Sequence, residues 1–120
     1  MALTSNLFSG DAKLEACLAN DPAHITQGQS GEHVSKIQAA LLLLDGANLD
    51  RRERAAKNYG PSTAAAVLAY KTKRRIINYS YETSADDIVG KMTIAALDRE
   101  MFRFEHGMRQ YSSCSGVRRL

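Results

Sequence analysis

Tyr59-Gly60-Pro61-Ser62-Thr63-Ala64-Ala65-Ala66-Val67 and Val89-Gly90-Lys91-Met92-Thr93-Ile94-Ala95-Ala96-Leu97 are two copies of one pattern, thirty positions apart. Gly60 matches Gly90, Thr63 matches Thr93, Ala65 and Ala66 match Ala95 and Ala96, and Val67 matches Leu97. Each copy has the makings of a tight turn that opens a helix. Glycine accepts turn conformations that strain other residues. Proline suits the first helical turn, where its missing N–H has no intrahelical partner to lose. A threonine three residues past the glycine can bond free backbone groups of that turn. The apolar residue four positions further on falls on the inner face of the new helix. One copy alone would be an ordinary helix start. Two, each after a large apolar residue, predict two similar turn–helix units packed on one another, too few for a solenoid.

Upstream, Val34, Ile37, Leu41 and Leu44 recur at spacings of three and four and predict a core-facing helix from about Glu32 to Asp45, stopped by Gly46. The turn Gln27-Gly28-Gln29-Ser30-Gly31 precedes it. Earlier still, Asp11 can cap a short helix whose apolar stripe is Leu14, Cys17 and Leu18, ended by Asn20-Asp21-Pro22. Residues 1–10 read as loosely structured. Between the first strong helix and the repeat, Asp50 and Glu53 have the spacing of a capping box before a polar helix, Arg51 to Lys57, that has little to bury. The first repeat copy predicts a helix from Pro61 to about Arg75, with Ala66, Val67 and Tyr70 inward and Ala69 permitting close approach. Ile76 to Tyr81 is β-branched and aromatic enough to run extended, and Ser84 to Asp87 reads as a polar turn. The second copy opens a last helix, Lys91 to about Glu105, with Ile94, Leu97 and Met101 on one face and Gly107 as its stop. The expected fold is all-α: a small three-helix bundle with short additional helices. Residues 1–24 are an N-terminal extension with a short helix, 25–106 the three-helix domain, and 107–120 a flexible basic tail.

At 120 residues the chain is sized for one domain, and 44% hydrophobic with 24% charged residues is the balance of an ordinary soluble protein. The net charge of +3 comes from the stretch beyond Phe102, where Arg103, Arg109, Arg118 and Arg119 face only Glu105, so the remainder is neutral. Two local basic runs stand out, Arg51-Arg52-Glu53-Arg54 and Lys71-Thr72-Lys73-Arg74-Arg75. They read as solvated helix faces, since nucleic-acid-binding proteins concentrate more charge than this. The apolar run Ala39 to Leu44 is too short to span a membrane. The first eight residues lack the basic start and apolar run of a signal peptide, so the chain is expected to be made in the cytoplasm and to reach the cell envelope by a non-classical route. Cys17 reads as a small core residue, and whether it pairs with Cys114 is open.

Gly28-x-x-Gly31-x-x-Val34-x-x-Ile37-Gln38-x-x-Leu41, then Tyr59-Gly60-x-x-Thr63-x-x-Ala66-Val67-x-x-Tyr70, then Asp86-x-Ile88-Val89-Gly90-x-x-Thr93-x-x-x-Leu97 resembles the peptidoglycan-binding domain 1 family. The resemblance spans roughly residues 25–100 and implies a three-helix module of the kind that accompanies cell-wall hydrolases and other envelope proteins. Three departures fall in or beside the turns. Tyr70-Lys71 replaces the usual aromatic–Gln pair. Ala56-Lys57 and Asp86-Asp87 replace the Asp-Gly turns before the two Gly-x-x-Thr blocks. The connection from Ala47 to Asn58 is longer and more charged than the family's.

No constellation suggests catalysis. His24, His33 and His106 have no metal-ligand spacing, the adjacent Asp86 and Asp87 point to opposite sides of an extended stretch, and Ser112-Ser113-Cys114-Ser115 has no base at a recognisable distance. No enzyme activity, metal or cofactor is expected. Glycans favour aromatic faces beside amide and carboxylate groups, which directs attention to Tyr79, Tyr81, Asp87, Tyr59, Lys71 and Gln38, with Asn78 and Tyr70 nearby. Tyr59 and Tyr70 also suit core packing. The expected function is a non-catalytic module that binds peptidoglycan or a cell-wall-associated protein through Asn48 to Tyr59 and Asn78 to Asp87. The alternative is a protein-interaction adaptor on the same fold, linked to a secretion system, phage particle or effector, with no specific nucleic-acid ligand.

Overall fold

Helix starts and stops follow the expected pattern closely. The computed structural model describes residues 3–20, 23–77 and 85–114, with 108–114 as backbone alone. Among these lie α1 (Ala12–Ala19), α2 (Glu32–Asp45), α3 (Arg51–Ala56), α4 (Pro61–Arg74) and α5 (Lys91–Cys114), and no strand. The fold is all-α. Asp11 caps α1 by accepting the Lys13 and Leu14 N–H groups, and Gly46 closes α2 in the left-handed conformation with φ 62°.

Helix α5 is the centre of the packing, with α1 and α2 against it and α4 against α2. One apolar cluster joins Leu14 and Cys17 of α1, Val34, Ile37, Ala40 and Leu41 of α2, Ala64, Val67 and Tyr70 of α4, and Ile94, Ala96, Leu97 and Met101 of α5. Each fully buried Leu or Ile in it contributes about 2 kcal/mol relative to exposure. Leu44 is only partly buried, and Ala69, expected to permit close helix packing, is exposed; Ala64 holds the tight position instead.

Both repeat copies hang from one loop, residues 25–31. Val89 and Ile25 exchange backbone bonds of 2.8 and 2.9 Å, while Tyr59 donates to Gln29 and accepts from Gly28 at 2.9 and 3.0 Å. The residue before each repeat glycine is thereby pinned to the same short segment.

The first copy starts differently from its expected form. Asp50 does cap α3, accepting the Arg52 N–H at 2.7 Å. Glu53, however, does not fold back to close a capping box. Its carboxylate reaches across to α4 and accepts the Ser62 N–H at 2.9 Å, the Thr63 N–H at 3.0 Å and the Thr63 hydroxyl at 3.0 Å. Gly60, the N-cap of α4, supplies no side-chain bond of its own, so the free amides of α4 are capped from a neighbouring helix. This explains the glycine. Gly60 has φ −106°, which any residue accepts, but a Cβ there would lie 2.6 Å from the Glu53 carboxyl carbon. A Cβ on Gly90 would meet only the His24 ring, at 3.5 Å.

Two further expectations are corrected. Residues 3–10 are not loose. Asp98 on α5 accepts the Thr4 N–H at 2.9 Å, the Ser5 N–H at 2.8 Å and the Thr4 hydroxyl at 2.9 Å. Glu105, two turns on along the same face, accepts the Asn6 and Leu7 N–H groups at 2.8 and 3.0 Å. Leu3 and Phe8 join the common cluster, so residues 3–20 belong to the main core rather than to an extension. Gly107 does not stop the last helix either, since α5 runs on to Cys114. An interior glycine costs a helix about 1 kcal/mol relative to alanine and does not by itself break it. Asn78 to Ser84, including most of the expected extended stretch and the start of the polar turn, lies outside the described residues, as do Asp21 and Pro22 and the 115–120 part of the expected tail.

Gly60→Ala is expected to cost about 1–2 kcal/mol by displacing the Glu53 cap, and Glu53→Ala a similar amount, whereas Gly90→Ala stays within about 0.5 kcal/mol of wild type. Urea denaturation of the three variants checks the order. Equal losses at Gly60 and Gly90 would count against the cap. Acid adds a second check. Burial raises the Glu53, Asp98 and Asp11 carboxyls, but their bonds to the Ser62–Thr63, Thr4–Ser5 and Lys13–Leu14 segments outweigh it and hold all three below their ordinary values. Their contribution is therefore complete above about pH 4 and lost as pH falls through the folded-state values. Circular dichroism against pH should show stability falling in that acid range in wild type, and falling less steeply in Glu53→Gln.

Candidate functional site

Of the residues singled out in sequence, Gln38, Tyr59 and Lys71 are buried. Gln38 is 2% exposed; its amide group donates to the Asn58 carbonyl at 3.0 Å and to the Thr63 hydroxyl at 2.9 Å. Tyr59 is 1% exposed, and its hydroxyl donates to the Asp87 carbonyl. Burial, then the nearby Asp87 and Asp86 charges, raise its pKa far above the ordinary phenol value. Lys71 is 5% exposed, with its ammonium on the Asp86 carboxylate and the Ile88 carbonyl. Asp87 is half-buried beside Tyr59. Gln38, Tyr59 and Lys71 thus hold the approaches to α4 and α5 in place. Tyr79 and Tyr81, with Asn78, lie outside the described residues.

The two basic runs, alike in sequence, have opposite fates. Arg74 forks onto Asp45 at 2.9 and 3.1 Å, bonds Glu100 at 2.6 Å, and lies over the Tyr70 ring 3.7 Å from its centroid. Lys73 stands 3.8 Å from Asp45. With Lys71 on Asp86, the second run is an ion network joining α2, α4 and α5. Lys71 and Arg74 are spent on partners within the fold, while Lys73 and Arg75 stay exposed. Arg51, Arg52 and Arg54 are exposed, and none pairs with a carboxylate among the described residues.

Three concavities stand out among the described residues. A groove of about 500 Å³ runs between the end of α2 and α4, floored by Ala65, Ala66 and Ala69 and rimmed by Asp45, Asn48, Ser62 and Lys73. A polar cleft of about 470 Å³ lies between α1 and the loop before α2, with Lys13, His24, Gln29 and His33 in its walls. Gln29 bonds the His24 carbonyl at 3.0 Å and the His33 ring at 3.1 Å. Burial, with Lys13 adding to it and Asp11 opposing, holds His33 below the usual histidine value. The third is a slot of about 340 Å³ between α2 and α3, lined by Ser35, Gln38, Ala39, Leu42, Leu43 and Arg54.

Cys17 is a free thiol. It donates to the Val89 carbonyl at 3.4 Å, and burial pushes its pKa up to about 11, which suits a core position and not a nucleophile. Among the described residues no three His, Cys, Asp or Glu side chains come together as metal ligands do, and no helix is long and apolar enough to cross a membrane. Comparison of the chain with protein-family models, curated proteins and solved structures found no match in any of the three.

Of the three openings, the alanine-floored groove combines an apolar base with several polar groups around its rim. The sequence signal for it was present in the spacing of Ala65, Ala66 and Ala69, but its rim comes from α2 and the following loop, distant in sequence. Arg74→Ala leaves Asp45 and Glu100 without their shared cation, and is expected to cost about 2 kcal/mol in urea denaturation. A loss below about 0.5 kcal/mol, the size of an exposed surface pair, would mean the network is only a surface feature.

Proposed function

We propose that the chain is a non-catalytic binding module of the peptidoglycan-binding type, a small three-helix bundle of α2, α4 and α5 with short added helices, which holds cell-wall glycan in the groove between α2 and α4. The groove itself carries this reading. A sugar ring presents a C–H patch on one face and hydroxyls around its edge. The Ala65, Ala66 and Ala69 methyl groups offer a shallow apolar floor for the first, and Asn48, Ser62 and Lys73 offer hydrogen bonds to the second. The Ser62 hydroxyl accepts the Asp50 N–H at 2.9 Å and bonds the Glu53 carboxylate, which fixes its position and leaves it a lone pair to accept. The ordered blocks that resemble the peptidoglycan-binding domain 1 family support the same reading. The contact residues now proposed differ from Tyr59, Lys71 and Gln38, whose side chains hold the fold together. A role as a protein-interaction adaptor has a separate support in the unpaired arginines of α3.

Purified chain is expected to co-sediment with isolated sacculi at both low and moderate salt. Ala69→Trp, at an exposed helical position on the groove floor, should fill the groove and reduce the pelleted fraction severalfold while leaving the circular dichroism spectrum intact. No protein in the pellet, or equal pelleting of the Trp variant, would falsify groove binding.

A further inference from the structure

The α3 face is built to be left uncompensated. Of the acids beside Arg51, Arg52 and Arg54, Glu53 is turned away and spent on the first turn of α4. Asp50 is occupied at the helix start by the Arg52 N–H, and the nearby Lys57 is held by Glu32. Arg51 and Arg54, three residues apart, share one helix face, and Arg54 forms the mouth of the slot against α2. Inside that slot are Ala39, Leu42 and Leu43, and Leu43 is 51% exposed. Arg54 thus borders a recess with an apolar wall, and Arg51 and Arg52 are exposed on the same short helix.

We infer that this face docks an acidic peptide segment of a partner protein, with one apolar side chain seated against Ala39, Leu42 and Leu43 and flanking carboxylates paired with Arg51, Arg52 and Arg54. Guanidinium groups suit this because their planar forks take carboxylates through two parallel bonds. Charge complementarity sets the approach and its salt sensitivity, and the recess sets the register. A phosphate polymer satisfies the arginines but brings nothing to fill the recess. The inference is independent of glycan binding, because the slot and the alanine groove share no lining residue.

The test titrates the full chain with a synthetic peptide of Glu and Asp residues around one central Leu, followed by amide and methyl NMR shifts. Saturable binding is expected, with shifts at Leu42, Leu43 and Arg54, weakening as salt is raised. The same peptide with Ser in place of Leu should bind about tenfold more weakly, as loss of one buried apolar side chain implies. Leu43→Asp should lose about as much, and the combined variant Arg51→Glu, Arg52→Glu, Arg54→Glu should lose binding entirely with an unchanged circular dichroism spectrum. Ala69→Trp should bind the peptide as wild type does, which separates failure here from failure of the glycan groove. Absence of binding, equal binding of the Ser peptide, unchanged binding by the charge-reversed variant, or tighter binding of inorganic polyphosphate than of the Leu peptide would each overturn the proposal.

Discussion

A chain of hydrogen bonds runs from Gln38 on α2 through Thr63 on α4 to Glu53 on α3, and three helices take their places from it. Thr63 is fully buried, and its hydroxyl has both roles filled, accepting from Gln38 at 2.9 Å and donating to Glu53 at 3.0 Å. Such a network is costly if any member is missing and specific when all are present. Because Glu53 must face α4, the rest of α3 is rotated outward, and its arginines meet solvent. Because Ser62 is held by the same carboxylate, the rim of the alanine groove is fixed as well. Both proposed binding surfaces therefore descend from one polar knot, although neither lies inside it.

The repeated Gly-x-x-Thr stretch gains a different meaning in this light. The copies share a scaffold role, since the residue before each glycine is bonded to the loop 25–31. They differ in what the glycine does. At Gly60 the missing side chain makes room for an acid from another helix, while at Gly90 the space is merely ordinary. Similar sequence at two points has been used for one common purpose and one private one.

What was legible in the sequence was local. The stripe Val34, Ile37 and Leu41, the inward run Ile94, Leu97 and Met101, the Asp11 cap and the Gly46 stop all depend on neighbours within a turn or two, and all stand in the structure. What escaped was non-local. Glu53 has the spacing of a capping box with Asp50, and only the proximity of α4, ten residues on, diverts it. The docking of residues 3–7 uses backbone N–H groups, which every residue carries and no pattern reveals. The two basic runs look interchangeable until Asp45, Glu100 and Asp86 are found beside one of them. Tyr59 and Gln38 satisfy the composition of a glycan site, but burial decides their use, and burial is a property of the assembled fold.

The clasp of Asp98 and Glu105 on residues 4–7 makes the segment before α1 depend on α5. The two sides of that contact lie more than ninety residues apart in the sequence. Loop closure over such a span is entropically slow to reward. Leu3 and Phe8 end in the same core, so the clasp and the apolar packing close that loop together. Loosening α5 therefore also releases residues 4–7, although nothing covalently next to them has moved.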